Sequence, residues 1–534
     1  MPGLQFSHSQ RGHYLLWTAP LFLFGALFYQ PIFRIFELGI GHNFLNQLLS
    51  AENARITLFT LWQALLSMIL SLLLATPIAY SLYKVKFRGQ TLLSAVVTLP
   101  FVLPTIVVGI GFTSTLKGAS PILLIITANT FMNSGLAARI IGSTWQSIGN
   151  DETDSAALDG AGKVRIFFSI TLVQLRGAYA AAGFLIFLYC SANFGIILVL
   201  GDEKTRSIET SIYVSAVENL DLSRAAGLVL IQTILTLLLF LAISKFSGLA
   251  VNPFGAHERS TNRRARVEDL PTVLFSIGTA ALLVIVPLAS IFWRSMHYES
   301  HLTLQNFHNL ATTGARDALN ITLLQALLNS FRNAGIGLVI SVGFGLFIAF
   351  LLTRSRHRHL GAIFQIPLGV SSVVLGLGYL ITFSDGLFPL RSSWLVTPIA
   401  QSMVLIPLFL QITLPALRII GDDLRESAEI DGCNQLTYWW LVELPLIKGT
   451  IILASVYVLV ISLGELGAAN FLAYGDQATL PSVLFQLISH PGPLNYGMAL
   501  AAGSIFIFLA GLLISLSGLT SLSRQKIPSN SVKL

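Results

Sequence analysis

The chain has little charge for its length. Only 11% of its 534 residues are charged, whereas an ordinary soluble domain carries about 25%. Because 54% of the residues are hydrophobic, the chain has too little polar surface to cover itself in water. This excludes a soluble globular enzyme, a disordered chain and a fibrous protein. The apolar runs are about 20 residues long, as a membrane-crossing helix requires, and not the roughly 10 alternating residues of a barrel strand. The composition therefore predicts an all-α polytopic membrane protein.

Cysteine is also scarce, with only two residues in the chain. Cys190 lies in an apolar run and Cys433 in a polar loop, so we expect them at different depths and unable to form a disulfide. No C-x-x-C pair or Cys/His cluster is present in the sequence, which predicts no metal site, no redox role and no cofactor. The net charge of +7 is compatible with nucleic-acid binding, but in a membrane protein Lys and Arg mark the cytoplasmic loops. We expect no nucleic-acid partner.

The apolar runs predict about twelve transmembrane helices in two sets of six. The first set lies near 14–33, 56–83, 91–114, 120–142, 178–200 and 225–247. The second set lies near 272–293, 328–352, 360–382, 394–417, 449–472 and 497–518. With the N-terminus inside, the alternating loops place most Lys and Arg residues on the cytoplasmic side. An even number of spans then puts both termini in the cytoplasm.

A polar stretch separates the two sets of spans. Residues 248–271 include the basic run Glu258-Arg-Ser-Thr-Asn-Arg-Arg-Ala-Arg266 and read as a solvated cytoplasmic linker, with a lipid-binding basic patch as the alternative. The sequence therefore predicts a first six-helix domain over 1–247 and a second over 272–534.

The two sets of spans carry an internal repeat. Asp154-Ser-Ala-Ala-Leu-Asp-Gly160 recurs as Glu426-Ser-Ala-Glu-Ile-Asp-Gly432, and the offset of 272 residues persists to Ile212-Tyr213 and Leu484-Phe485. Earlier in each half the offset falls to about 267, where Leu99-Pro100 matches Ile366-Pro367. Two copies with six spans each predict two parallel six-helix repeats, which enclose a central interface suited to a transport pathway.

A polar motif lies between the fourth and fifth spans of each half. Its two copies resemble the signature cytoplasmic loop of bacterial ATP-binding-cassette (ABC) importer permeases, Glu-Ala-Ala-(x)3-Gly-(x)9-Ile-x-Leu-Pro. The second copy departs only at Ser427 and Val442, whereas the first has Asp154, Ser155 and Val173 at three motif positions. An acidic residue favours a helix N-terminus, small residues allow close approach, and glycine permits a turn that excludes a side chain or has positive φ.

In that family this loop is the coupling helix, which fits a groove on the ATPase subunit. The resemblance assigns ATPase coupling to Asp154, Ser155, Ala156, Gly160, Glu426, Ser427, Ala428 and Gly432. The alternative is an ordinary amphipathic helix at the membrane surface. Gly160-Ala-Gly-Lys163 looks like part of a phosphate-binding loop, but Val164 stands where Ser or Thr would hold Mg²⁺. We therefore expect the nucleotide site on another chain, and this chain not to be an enzyme.

Two fused six-span halves resemble the iron(III)- and thiamine-type importers, in which one chain supplies both permease halves. The resemblance implies two ABC ATPase subunits, an extracytoplasmic substrate-binding protein, contact with membrane lipid, and a multi-pass location in the bacterial inner membrane. Of the two cargoes, our expectation at this point is iron(III). The alternatives are a secondary transporter with parallel repeats, which needs intramembrane ionisable residues for ion coupling, and a membrane-embedded enzyme, for which no catalytic constellation is apparent.

Polar residues follow the fifth span of each half. The repeat pairs Asn193 with Glu465, and a polar group at this depth either faces the translocation pathway or makes a hydrogen bond between helices. The third spans contain Pro100, Pro104 and Pro367 together with glycines, which either break the helix or allow close packing. The His residues His301, His359 and His490 fall in loops and are expected to be solvated.

Overall fold

The computed structural model describes residues 10–40, 50–148, 151–246, 263–298, 301–354, 360–384, 393–490 and 492–522. Residues 248–262 of the predicted linker and His359 lie outside this part of the chain. The α-helices of the first half are Gln10–Phe24, Gln30–Gly39, Ala51–Tyr83, Gln90–Thr98, Thr105–Thr115, Pro121–Ser147, Asp151–Leu158, Lys163–Ile166, Leu172–Ser191, Phe194–Leu200, Ile208–Tyr213 and Leu222–Phe246. Those of the second half are Leu270–Ala280, Val286–Ser295, Gln305–His308, Leu323–Arg354, Leu360–Gln365, Ser372–Ser384, Val396–Arg418, Asp422–Ile430, Gln435–Tyr438, Leu444–Leu463, Gly467–Leu472, Leu480–Ser489 and Pro493–Leu522.

Strands are short and few among these described residues. Val85–Lys86 pairs in parallel with Arg263–Arg264, and His297–Tyr298 pairs antiparallel with His301–Leu302. The all-α prediction is confirmed.

Nine helices in the described residues are long and apolar enough to cross a membrane, and two bent helix pairs raise the number to eleven. The polytopic membrane class is therefore confirmed. The predicted span near 225–247 lies on the helix Leu222–Phe246, of which Leu222–Leu238 is recorded as a shorter apolar helix. The count of twelve spans stays a prediction.

Both third spans are bent rather than straight. The pair Gln90–Phe101 and Thr105–Thr115 meets at 106°, and the pair Leu360–Gly369 and Ser372–Phe383 meets at 99°. In the first pair, Leu103 is extended at φ −72° and ψ 141° because the ring of Pro104 disfavours a helical residue before it. The prediction that proline interrupts this span is confirmed at Pro104.

Glycines of these bent spans make close contacts, which the sequence offered as the alternative to bending. A Cβ atom at Gly109 would lie 2.7 Å from Cγ1 of Val199, and one at Gly376 would lie 2.9 Å from Cα of Ala468. In each half the short helix that follows the fifth span therefore packs directly on the bent third span. Both alternatives hold, since the span is broken and its glycines are closely packed.

The repeat extends to irregular helical turns that the sequence does not reveal. π-helical turns occur at Phe167–Thr171 and Trp439–Glu443, at the 272-residue offset of the motif. Another pair occurs in the first spans, at Gly25–Tyr29 and Ala281–Ile285. A π-turn inserts one extra residue into a helix and shifts the faces on either side of it. The two halves therefore share some of these irregular turns, whereas the π-turn Val214–Glu218 has no counterpart at the same offset, where the α-helix Leu480–Ser489 lies.

The chain forms two compact units. One contains the described residues within Met1–Leu38, Leu328–Thr479 and Leu512–Leu534, and the other contains those within Gly39–Leu327 and Leu480–Gly511. The first span of each half thus belongs to the unit built mainly from the other half.

Contacts inside each unit show this exchange. The rings of Phe24 and Phe364 lie 4.9 Å apart, and the Tyr29 hydroxyl donates to the carbonyl of Ile363 at 2.8 Å. In the other unit, a Cβ atom at Gly111 would lie 3.2 Å from Cδ1 of Ile291. The division of the chain into a first domain over 1–247 and a second over 272–534 stays a prediction.

Candidate functional site

The two predicted coupling motifs form short exposed helices of the same construction. The first coupling segment is Asp151–Leu158 and the second is Asp422–Ile430. Ser155 donates its hydroxyl to the carbonyl of Asp151 at 2.8 Å, and Ser427 donates to that of Asp423 at the same distance. These serines therefore bond within their own helix and add little bulk to its surface.

Glycine ends each segment in a left-handed turn. Gly160 has φ +85° and Gly432 has φ +79°, a region that other L-residues rarely adopt. The N–H of Ala161 donates to Ala156 and that of Cys433 donates to Ala428, which closes a Schellman motif at both sites. A Cβ atom would meet nothing within 4 Å at either glycine. Of the two reasons considered from the sequence, the structure supports the positive φ and not the steric one.

The motif residues share one pattern of exposure in both copies. Asp154, Ser155, Glu426 and Ser427 are exposed, whereas Ala156 and Ala428 are half-buried. The structure thus gathers the four predicted residues of each copy on one helix and its cap. Their role in coupling stays a prediction.

An apolar side chain projects from the end of each segment, and our sequence analysis missed it. Leu158 is 89% exposed and Ile430 is 86% exposed, although both are large and apolar. The repeat contains the signal, because these residues align at the same offset in an otherwise polar motif. The two copies therefore share an exposed apolar residue as well as their cap and serine bond.

A buried ion pair fastens the helix that follows the second segment. Nη2 of Arg354 lies 2.5 Å from Oε2 of Glu443, and the Arg354 side chain is only 3% exposed. The guanidinium also lies 4.2 Å from the ring centre of Phe350 and 5.2 Å from that of Trp439. Stacking and pairing together compensate for burying the charge. The pair joins the end of the helix Leu323–Arg354 to the π-turn Trp439–Glu443, which follows the second coupling segment along the chain.

A cavity of about 810 Å³ lies beside this ion pair. Arg425 and Ala428 of the second coupling segment line it, together with Phe347 and Trp440. The inner side of the segment therefore faces open space. The segment is held through its glycine cap and the following turn instead of being packed along its length.

The first segment is anchored by different chemistry. Lys84 occupies the place of Arg354, and its ammonium donates to the carbonyl of Ile148 at 3.1 Å. Burial lowers the pKa of the Lys84 ammonium, and the negative charge of Asp154 opposes that shift. No ion pair equivalent to Arg354–Glu443 is found there among the described residues, because Thr171 stands where the second half has Glu443.

The end of the linker docks beside this first segment. Arg263–Arg264 pairs with Val85–Lys86, and Arg263 forms a 2.7 Å ion pair with the buried Asp269. Lys163, which follows the first motif, lies 2.5 Å from Glu268. The described part of the predicted linker, from Arg263 onward, is therefore attached to the protein, while residues 264–268 stay exposed to solvent.

Asn193 caps a helix in the first half. Its Oδ1 accepts the N–H of Ile196 at 3.2 Å, at the start of the short helix Phe194–Leu200. Its amide donates to Oδ1 of Asn129 at 2.8 Å, and Asn129 donates in turn to Gln63 at 3.0 Å. Asn193 therefore satisfies a helix start and joins a hydrogen-bonded chain between helices.

Glu465 does the same in the second half. Its carboxylate accepts the N–H of Ala468 at 2.9 Å and that of Ala469 at 3.2 Å. The amide of Gln401, the repeat partner of Asn129, donates to it at 3.4 Å. These contacts are the helix–helix bonding that was the alternative to a pathway role. A place for Asn193 and Glu465 in the translocation pathway stays a prediction.

No group of three or more His, Cys, Asp or Glu side chains able to hold a metal ion occurs among the described residues. Cys190 is buried and Cys433 is half-buried, and both are free thiols.

Two substitutions at Glu465 distinguish its role as a helix cap from a requirement of transport for its negative charge. We expect Glu465→Ala to lower stability by about 1 kcal/mol, the usual cost of losing a helix cap. Glu465→Gln keeps an accepting oxygen, so we expect it to retain most stability and transport. Thermal unfolding of the purified protein and solute uptake in vesicles measure the two effects. Loss of transport in a stable Glu465→Gln protein would instead assign the charge to the pathway.

The Arg354–Glu443 pair gives a second test. Arg354→Ala leaves a carboxylate buried without its cation, and we expect a loss of about 3–5 kcal/mol in stability. Arg354→Met combined with Glu443→Leu removes both charges, so we expect the double variant to be more stable than the single one. Denaturation midpoints compare the two. Equal midpoints would show that Glu443 does not depend on Arg354.

Known proteins are similar to this chain in both of its halves. A family model described as binding-protein-dependent transport system inner membrane component matches residues 312–524. The thiamine transport system permease protein ThiP of Brucella abortus (strain 2308) is 26% identical over 469 residues, covering 81% of this chain and 82% of that protein. ThiP of Escherichia coli (strain K12) is 25% identical over 467 residues, covering 80% and 82%. The ferric transport system permease protein FbpB of Actinobacillus pleuropneumoniae is 24% identical over 465 residues, covering 80% and 66%.

The family model covers the second coupling segment, and the relatives align over about four fifths of the chain. The first coupling segment repeats the cap, serine bond and exposed apolar residue of the second. Residues 312–524 therefore belong to the binding-protein-dependent transport system inner membrane component family, and the similarity over about four fifths of the chain supports a fused permease of the iron- and thiamine-type ABC importers, an all-α transport component of the membrane.

Proposed function

We propose that this chain forms the translocation pathway of an importer and transmits the work of two separate ATPase subunits to it. The single observation that carries this proposal is the duplicated coupling segment, with a left-handed glycine cap and an exposed apolar residue at the same offset. Each segment offers one ATPase subunit an acidic, small-residue surface with Leu158 or Ile430 at its end. The named relatives are all transport-system permeases, which favours an importer over an ion-coupled carrier.

The orientation follows from the same proposal. The coupling segments face the cytoplasm, both termini lie on that side, and an extracytoplasmic binding protein delivers solute to the other side. The transmembrane spans lie in the lipid bilayer of the bacterial inner membrane. Pathway residues near Asn193 and Glu465 then lie beyond the fifth spans, away from the ATPases.

The cargo is thiamine or iron(III). The two ThiP relatives named above have slightly higher identity than the ferric FbpB, so we propose thiamine as the first cargo to test and keep iron(III) second, which reverses our expectation from the sequence. Because the binding protein selects the solute, uptake with each cognate binding protein decides between them.

Assembly with an ATPase is the first test. We expect the chain to co-purify with an ATP-binding-cassette subunit encoded beside it, and the complex to take up solute in vesicles only with ATP and binding protein. Leu158→Asp and Ile430→Asp are expected to weaken co-purification at least tenfold without changing thermal stability, because both side chains are already in water. Uptake by the chain alone, driven by an ion gradient, would contradict the proposal.

Gly432 tests the coupling cap. Gly432→Leu forces a leucine toward φ +79°, which costs about 1–2 kcal/mol and favours another turn. Gly421→Leu is the matched control, because Gly421 also has open space but has φ −66°. We expect Gly432→Leu, and charge reversal by Glu426→Lys, to separate ATP hydrolysis from uptake while the protein stays folded.

The control Gly421→Leu should keep hydrolysis and uptake together. The same substitutions in the first half, Gly160→Leu and Asp154→Lys, should have weaker effects because that motif is more degenerate. Normal ATP-driven uptake in both Gly432→Leu and Glu426→Lys would refute the assignment of this segment to coupling.

A further inference from the structure

A charged pocket lies at the end of the helix Ala51–Tyr83 opposite the first coupling segment. Glu52 and Arg55 belong to its first turns, whereas Lys84, which contacts the coupling region, follows its last residue. The helix has 33 residues and is therefore about 50 Å long at about 1.5 Å per residue. If the coupling segment faces the ATPases, this pocket opens on the extracytoplasmic side.

The pocket has a volume of about 230 Å³ and an excess of positive charge. Four cations and two acids line it: Arg55, Lys204, Arg206, Arg224, Glu52 and Glu203. Arg224 is paired with Glu52 at 2.5 Å. Among the described residues, Arg55 and Arg206 have no ion-pair partner. Two guanidinium groups therefore remain available in a concave site that holds a few atoms of a partner.

The loop that carries two of these cations is rigidly shaped. Oδ1 of Asp202 accepts the N–H of Lys204 at 2.9 Å and the N–H of Thr205 at 3.0 Å. The Thr205 hydroxyl, 2.9 Å from the same oxygen, lowers the pKa of Asp202. The Asp202 carboxylate is hydrogen-bonded within its own turn. This fixes the backbone that carries Lys204 and Arg206.

An exposed apolar residue stands beside the pocket. Leu220 is 80% exposed and has φ +55°, a conformation that leucine rarely adopts. The pocket residue Asn219 directly precedes it, and the pocket residue Arg224 follows four residues later. A strained apolar side chain next to a cationic pocket combines the two chemistries of a protein-binding surface.

The second half lacks cations at three of these positions, and the cation that its long helix Leu323–Arg354 does place beside the matching loop, Arg332, donates to Oε1 of Gln477 at 2.6 Å. At the 272-residue offset, Ala478 stands for Arg206, Asp476 for Lys204 and Tyr496 for Arg224. The cations are therefore not required by the repeated helical scaffold. They belong to a feature that only one half presents, as expected for contact with an asymmetric partner.

We propose that this pocket receives a carboxylate side chain from the surface of the extracytoplasmic binding protein. The inference rests on the proposed function, which places this end of the helix outside. Guanidinium groups recognise carboxylates through paired hydrogen bonds, and unpaired cations in a recess favour an acidic group of a docking protein. A free anionic solute entering the pocket is the competing outcome of the test.

The experiment uses the reconstituted permease–ATPase complex in lipid. ATP hydrolysis is measured against the concentration of binding protein for wild type, Arg55→Glu, Arg206→Glu and the control Lys117→Glu. Lys117 is exposed in the loop after Thr105–Thr115, on the same side by the alternation of spans, and does not line the pocket. We expect the pocket variants to raise the half-saturating concentration at least tenfold, with unchanged basal and maximal rates and a weaker dependence on salt.

Other results would overturn the proposal. Pocket variants that match Lys117→Glu would remove the docking role. A lower maximal rate at an unchanged half-saturating concentration would assign the pocket to the solute. A wild-type complex that assembles but shows no stimulation by the binding protein would overturn the proposed function itself, which distinguishes the two failures.

Cross-linking provides an independent measurement. A zero-length carbodiimide joins an amine to a carboxylate in direct contact, so we expect Lys204 to cross-link to the binding protein. The product should be lost in Lys204→Met and kept in Lys117→Met. A product of equal yield in Lys204→Met would contradict a carboxylate at this pocket.

Discussion

A backbone group at membrane depth needs a hydrogen-bond partner, and this requirement shapes both halves of the protein. In each half a long helix ends and a short one begins, at Ser191 and Phe194 in the first and at Leu463 and Gly467 in the second. The freed N–H groups of the new helix are accepted by Asn193 or Glu465. The short helix then packs on a glycine of the bent third span, so the break and its cap fix where this helix meets that span.

The same long helix carries the coupling turn at its other end. Lys163–Ser191 and Gln435–Leu463 each run for 29 residues through a π-turn, which is about 43 Å at about 1.5 Å per residue. Each predicted coupling segment is joined to this helix by a short turn, residues 159–162 or 431–434, that contains its glycine cap. Under the proposed function, this turn and the helix after it connect the ATPase contact to the capped break.

The sequence allowed the fold class, the repeat and the interruption at Pro104 to be predicted, because each depends on local chemistry such as apolar length, spacing and the proline ring. The first spans pack within the unit of the other half, which depends on tertiary contacts such as Phe24 with Phe364. The cap role of Glu465 and the exposure of Ile430 depend on where neighbouring backbone lies. Apolar periodicity contains no information on either.

The two coupling segments are equal in shape but unequal in attachment. The second is joined to the membrane helices through Arg354 and Glu443, a buried and stacked pair whose disruption leaves an uncompensated charge. The first is joined through the half-buried Lys84, which donates to the carbonyl of Ile148, and through Lys163 and Glu268, which are 74% and 61% exposed and as an exposed pair contribute little. The attachment of the second segment therefore depends on a buried charged pair that has no counterpart among the described residues of the first half. Under the proposed function, this difference and the more degenerate first motif make transport more sensitive to substitutions in the second segment than in the first.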